Sequence, residues 1–250
     1  TDPLLGPLQD NGGSTETHAL LSVSPAIDAG DDTACPDTDQ RGVPRPQDGD
    51  EDGTAICDIG AYEHAETFAF DLIPAAMAGE RVYNLIALPL DVPGVVDADS
   101  LAAYVGPGVY MVLRHNAATQ DLTWRLPGQA GTNFSVQTGD ALFVYLDETA
   151  PDFLTLAGSE PPAGAVTFDL TRPAPSESCA YNFISVPLDR DDLADADALA
   201  AAIGGVYTIS RWNAATQDLT WRMPGGQGEN FPVQAGYPYI VCLDETAPPV

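Results

Sequence analysis

The sequence predicts an all-β protein: two tandem repeated β-sandwich domains, each with one short helix, preceded by a small segment with no core of its own. Three observations carry this. Val82 to Asp91 returns in kind at Ala180 to Asp189, 98 residues later, and Asn116 to Arg125 (NAATQDLTWR) returns unchanged at Asn213 to Arg222, 97 residues later. Short runs rich in β-branched and aromatic residues alternate with Gly-, Pro- and Asn-containing turns, the pattern of small sandwiches and barrels. The one helix signal in each copy spans only about two turns. The boundaries this sets are a segment over 1–64, a first repeat over 65–161 and a second over 162–250.

In chain order, residues 1–64 hold short pieces such as His18 to Val23 between turn signals at Asn11-Gly12-Gly13, Ala29-Gly30-Asp31 and Gly42-Val43-Pro44. Apolar bulk for a separate core is missing there. Val82 to Leu90 reads as a buried strand. Asp97 to Gly106 follows, with an Asp N-cap, acids in the first turn and a stop glycine, and Asp195 to Gly204 keeps the pattern. Gly108 to His115 and Leu122 to Leu126 form a hairpin across Asn116 to Asp121, where Asn and Asp suit side-chain-to-backbone turn closure. Phe134 to Leu146 supplies one long strand or two short ones. Phe153 to Leu156 ends the first copy and has no counterpart in the second, which reaches Val250. A sandwich without its last strand is expected to leave backbone groups unpaired beside an open apolar groove.

Alternation assigns faces. Leu122, Trp124 and Leu126 share one face, read as core, with Thr123 and Arg125 opposite. The competing reading makes the two identical loops a sugar site with Trp124 and Trp221 as stacking platforms. On the preceding strand Tyr110 and Val112, matching Tyr207 and Ile209, read as core. The opposite face is apolar in copy one (Val109, Met111, Leu113, His115) and more polar in copy two (Val206, Thr208, Ser210, Trp212). Met111, Leu113 and His115 are therefore expected to lie against a neighbouring module or subunit.

Four cysteines allow three pairings. Cys35 and Cys57 lie in the N-terminal segment, while Cys179 and Cys242 both belong to copy two, where copy one has Arg81 and Tyr145. Cys35–Cys57 and Cys179–Cys242 is the expected pairing, against four free thiols in a reducing compartment, and it places the protein in an oxidising, extracellular setting. The stretch Asp48-Gly49-Asp50-Glu51-Asp52-Gly53 matches the first half of a calcium loop. Position twelve would be Ile59, so the expectation is a helix-less loop using Asp48, Asp50, Asp52 and neighbouring Asp58, with a solvated acidic turn as the alternative.

The formal net charge is −28, with 37 acidic residues against nine basic ones, all Arg. Nucleic-acid and anionic-membrane partners are excluded by the lack of clustered cations, and no segment reaches the ~20 apolar residues of a membrane span. Without Lys there is no Schiff base, P-loop lysine or Lys–Asn cross-link. His18, His64 and His115 are scattered, no GxSxG or glycine-rich phosphate loop is present, and acid pairs such as Asp191/Asp192 are expected by chance among 37 acids. A non-enzymatic protein is expected.

Six motifs of the first segment follow one another in order. They are Asp2-Pro3-Leu4-Leu5-Gly6-Pro7-Leu8, Asn11-Gly12-Gly13, Thr17-His18-Ala19-Leu20-Leu21 and Ser24-Pro25-Ala26-Ile27-Asp28-Ala29-Gly30-Asp31. Asp39-Gln40-Arg41-Gly42-Val43-Pro44-Arg45-Pro46 and Cys57-Asp58-Ile59-Gly60-Ala61-Tyr62-Glu63 complete the string. Residues 2–63 thereby resemble the choice-of-anchor Q region of large bacterial surface proteins. The resemblance implies a β-helix-cap-like segment and a secreted or surface-displayed protein, although the rungs that such a cap would follow do not precede Asp2. The opening Tyr83-Asn84-Leu85-Ile86 with Pro89-Leu90 also resembles β-sandwich modules near the C-termini of bacterial surface proteins.

These readings combine into an extracellular, non-enzymatic structural protein: a cell-surface or filament subunit, a homo-oligomer assembled by strand complementation and apolar inter-module faces. Pro3 to Leu8 or Leu20 to Val23 is the candidate donor strand. The alternative is a glycan-binding or anchoring appendage of a longer secreted protein, with surface glycans as partners.

Overall fold

The computed structural model describes residues 2–244 apart from 12–13, 51, 53, 175–178 and 191. Asp191 of the acid pair, Glu51 and Gly53 of the acidic loop, and the 245–250 end therefore lie outside the described residues. The described residues form an all-β fold with four antiparallel sheets and two helices. Two compact units result. One comprises Thr1–Phe68, Leu90–Pro93 and Leu156–Glu160; the other comprises Ala69–Pro89, Gly94–Thr155 and Pro161–Val250 and so holds the body of both repeats.

In the first unit, β1 (Leu5–Gln9) pairs with β2 (Thr17–Leu20). The candidate donor segment Pro3 to Leu8 is thus largely taken up by this pairing, whereas of Leu20 to Val23 only Leu20 belongs to β2. Leu20, Ala26 and Ile27 form a small apolar cluster with Tyr62 against it. Leu90, Val92 and Leu156 are buried in this unit as well, and the interior of the 39–63 stretch is largely polar. Asp39 accepts hydrogen bonds from the N–H groups of Arg41 (2.7 Å), Val43 (3.0 Å) and Glu63 (3.0 Å). Glu63, fully buried, accepts from Gln47 N–H (2.8 Å) and Asp58 N–H (2.9 Å). Arg41 pairs with Asp39 at 2.7 Å and Arg45 lies 3.2 Å from Glu63. Buried carboxylates thus supplement a small hydrophobic core, Asp39 and Glu63 each met by backbone N–H groups and a guanidinium. Cys35–Cys57 joins the same unit, with Cα atoms 6.6 Å apart.

The repeats share one element order. In copy one it is β4 (Val82–Ala87), α1 (Ala98–Val105), β5 (Val109–Asn116), β6 (Asp121–Arg125) and β7 (Ala141–Leu146). Copy two repeats it as β9 (Ala180–Ser185), α2 (Ala196–Ile203), β10 (Val206–Asn213), β11 (Asp218–Arg222) and β12 (Pro238–Leu243). The sheet orders are β4-β7-β5-β6 and β11-β10-β12-β9, the same arrangement read from opposite sides. Both helices start where the Asp N-cap requires: Asp97 accepts from Ser100 N–H at 2.8 Å and Asp195 from Ala198 N–H at 2.9 Å. Both stop at glycines with positive φ, Gly106 and Gly204. Within 134–146 only Ala141–Leu146 is strand; Phe134 and Val136 are buried in an irregular stretch that bonds to the 96–98 segment.

One sheet face packs under the helix. In copy two that core joins Ile184, Ile209, Val241 and Leu243 to Leu199 and Phe231. The other face of each sheet meets the other repeat. All six residues of β12 are buried because both of its sides are covered. The sandwich is therefore built between the copies, one four-stranded sheet from each. β3 (Glu66–Asp71) and β8 (Phe153–Gly158) form a separate two-stranded sheet. Copy two's four-stranded sheet consequently has the same strand complement as copy one's, which corrects the expectation of a groove within it. The counterpart of β8 would sit beside the counterpart of β3.

Two face assignments are overturned. Leu122 (52 %) and Trp124 (43 %) are exposed, and the opposite face carries Arg125, held by Asp99 of α1. Tyr110 and Tyr207 are also exposed, while Val112 and Ile209 are fully buried. A bulge between Val109 and Met111, repeated between Val206 and Thr208, shifts the register so that strict alternation fails.

Candidate functional site

Three places carry chemistry or recognition. The first is the seam between the repeats. Gln120 and Gln217 sit in the identical hairpin turns with φ of 56° and 54°, aimed at the opposite copy. Gln120 accepts from Tyr181 N–H (2.8 Å) and donates to Tyr181 C=O (3.1 Å). Gln217 accepts from Tyr83 N–H (2.9 Å) and donates to Tyr83 C=O (2.9 Å). Tyr83 and Tyr181 are themselves equivalent, so the contact is reciprocal, in the manner of a two-fold interface. Asn116 and Asn213 close the turns beneath by accepting from Ala118 and Ala215 N–H, each at 3.0 Å.

His115 stacks on Phe183 with ring centroids 4.7 Å apart, and burial lowers its pKa. Leu113 is buried and Met111 half-buried on the same face. Copy two's equivalent of His115, Trp212, meets Phe143 edge-on at 5.4 Å and donates to Tyr83 C=O at 2.8 Å. These residues thus meet the sister repeat of the same chain. Sequence reasoning missed the two glutamines, although identity of ten residues in both copies was the available signal.

The second place is the acidic loop. Asp28, Asp48 and Asp50 bring carboxylate oxygens within 4.8 Å of one another and can hold a metal ion. Asp28 is the member sequence spacing did not supply. Its φ is 50°, its carboxylate accepts from Gly49 N–H (3.3 Å) and Asp50 N–H (2.9 Å), and burial raises its pKa. Asp52 is instead a turn residue: its N–H donates to Asp48 and Asp50, both at 3.1 Å, and its carboxylate caps Thr54 N–H at 2.8 Å. Asp58 stands apart, since its two oxygens accept from the N–H groups of Asp28 (2.8 Å) and His64. A second grouping, Asp32 with Cys35 and Cys57, offers no thiolate because both cysteines are in the disulfide.

The third place is the copy-two counterpart of β3. Asn182 accepts from Thr171 N–H (2.6 Å) and donates to Thr171 C=O (2.9 Å). Asn84 does the same for Ile73, at 2.8 and 2.9 Å. Upstream of that anchor Phe70 and Leu72 are buried in copy one, with Leu154 and Leu156 of β8 equally buried. In copy two Val166, Phe168 and Leu170 are only half-buried, and no described residue forms a strand with them. Cys179–Cys242, with Cα atoms 5.6 Å apart, ties the start of β9 to β12 nearby.

No protein-family model matches the chain, and no curated protein or solved structure is significantly similar to it.

Proposed function

We propose that the chain is an extracellular, non-enzymatic structural protein, a cell-surface or filament subunit that accepts a β-strand along residues 165–170. The observation that carries this reading is the unequal treatment of two equivalent stretches. Both are anchored by a buried Asn. The first has β8 beside it, whereas the second leaves alternate apolar side chains half-covered and, among the described residues, has no strand neighbour. An extended apolar stretch with a free edge is a template for β-augmentation. The two disulfides favour an oxidising setting, and no helix among the described residues is long and apolar enough to cross a membrane. The resemblance of residues 2–63 to the choice-of-anchor Q region agrees with display on a cell surface.

A synthetic peptide with the sequence of Phe153–Gly158 tests the acceptor. It is expected to bind the full chain saturably and to protect the amides of 165–170 from exchange, and to lose both effects in Phe168→Asp. Light scattering and electron microscopy test the assembly: a strictly monomeric chain that ignores the peptide would refute this function.

The ion we assign to Asp28, Asp48 and Asp50 is calcium, because the donors are all hard carboxylate oxygens with no imidazole or thiolate among them. Calcium is expected to raise the melting temperature and EDTA to reverse it, with Asp28→Asn abolishing the response. No shift with millimolar calcium would rule it out.

A further inference from the structure

A cleft of ≈ 440 Å³ opens at one side of the seam between the repeats, within the range of small-ligand sites. Asp71 and Leu85 line it from copy one; Arg211, Trp212, Gln234 and Tyr237 line it from copy two. We infer that this cleft binds a sugar unit of a neutral saccharide.

The lining combines aromatic bodies with planar polar groups, the pairing that suits a sugar ring, whose C–H face is apolar and whose rim is hydroxyl. Asp71 and Gln234 are exposed in the cleft, and Trp212 and Tyr237 are half-covered. Trp212 is oriented by its bond to Tyr83 C=O at 2.8 Å, and Tyr237 by the Phe70 ring 5.3 Å away. Arg211 lies over the Phe231 ring at 4.9 Å and pairs with Glu229 at 3.1 Å, so its charge is already answered. With Asp71 at the rim and a net charge of −28, an anionic ligand is disfavoured and a neutral polyol is not. For a proline-rich peptide the cleft offers less, because the indole N–H of Trp212 is already donated to Tyr83 C=O.

The pseudo-symmetric position differs at one residue of the lining. There Phe183 stands in place of Leu85 and its larger ring stacks on His115. Leu85→Phe should therefore close the cleft with the sister repeat's own solution. This inference is independent of strand addition at 165–170. It also differs from the sugar reading of Trp124 and Trp221, neither of which lines the cleft.

Calorimetric titration of the full chain with cellobiose, maltose and N,N′-diacetylchitobiose tests it. At least one is expected to bind saturably. Asp71→Ala and Gln234→Ala should each weaken binding about tenfold, the loss of one or two hydrogen bonds, and Leu85→Phe should abolish it without lowering the melting temperature. If Leu85→Phe fails to fold, the two rim variants decide. The inference is overturned if none of the three sugars binds, if binding survives the variants, or if a proline-rich peptide competes for the cleft.

Discussion

A glutamine side chain presents one C=O and one NH2 in a plane, the same donor and acceptor that a strand presents along its edge. Gln120 and Gln217 use this to occupy the outward N–H and C=O of Tyr181 and Tyr83. Each thereby closes a position on a free sheet edge and fastens one repeat to the other. Because these edges are exposed to water, replacing either glutamine by alanine should cost only ~1 kcal/mol, measured by urea unfolding. Unchanged stability in both variants would remove the clamp from the account. The buried carboxyls give a residue-scale pH dependence. Burial raises Glu63 from its ordinary 4.5 and Asp58 from 3.8, against the pull of their N–H donors and Arg45. A raised folded value means the folded state holds the proton more tightly, so stability falls as pH climbs from the ordinary values through the raised ones. Asp97, held low by Ser100, acts in the opposite sense and costs stability as pH drops below 3.8. Stability should therefore peak in mild acid, and Glu63→Gln should flatten the decline above the peak.

At the scale of elements, the hairpin of β5 and β6, both helix caps and the disulfide partners were legible because each is encoded by neighbours in sequence or by scarce residue types. The burial of Leu122 and Trp124 was not. Alternation sorts a strand's side chains into two sets without naming the inner one, and Arg125 took the covered side because Asp99 at the start of α1 lies there, 2.6 Å away. Trp124 instead lies over Gly131, whose φ of +89° admits no ordinary side chain and whose added Cβ would meet the Trp124 backbone oxygen at 2.3 Å. Gly131→Ala should cost at least ~1 kcal/mol from the backbone alone. A neutral result would show that the turn can relax. The Cys179–Cys242 bridge spans 63 residues, and its removal by Cys179→Ser with Cys242→Ser should cost ~4 kcal/mol on the chain-entropy model, read as a lower denaturant midpoint.

At the largest scale, the stacked sheets of the two repeats predict that they unfold as one cooperative body. Phe143 of copy one touches Phe183 and Trp212 of copy two, with centroids 5.7 and 5.4 Å apart. Phe143→Ala should cost ~3 kcal/mol and shift circular dichroism and tryptophan fluorescence together. Two separated transitions would mean that the repeats fold independently. The all-β class, the repeat, the caps, the cysteine pairs and the acidic loop follow from the sequence itself, because periodicity, turn residues and composition act over a few positions. Tertiary structure decided that β8 pairs with β3, that each repeat's second apolar face is covered by its sister, and that Asp28 joins Asp48 and Asp50 from twenty residues upstream. Those are contests between distant surfaces of similar character, settled by which pairing buries most while leaving no polar group unanswered, and local pattern holds no record of the winner.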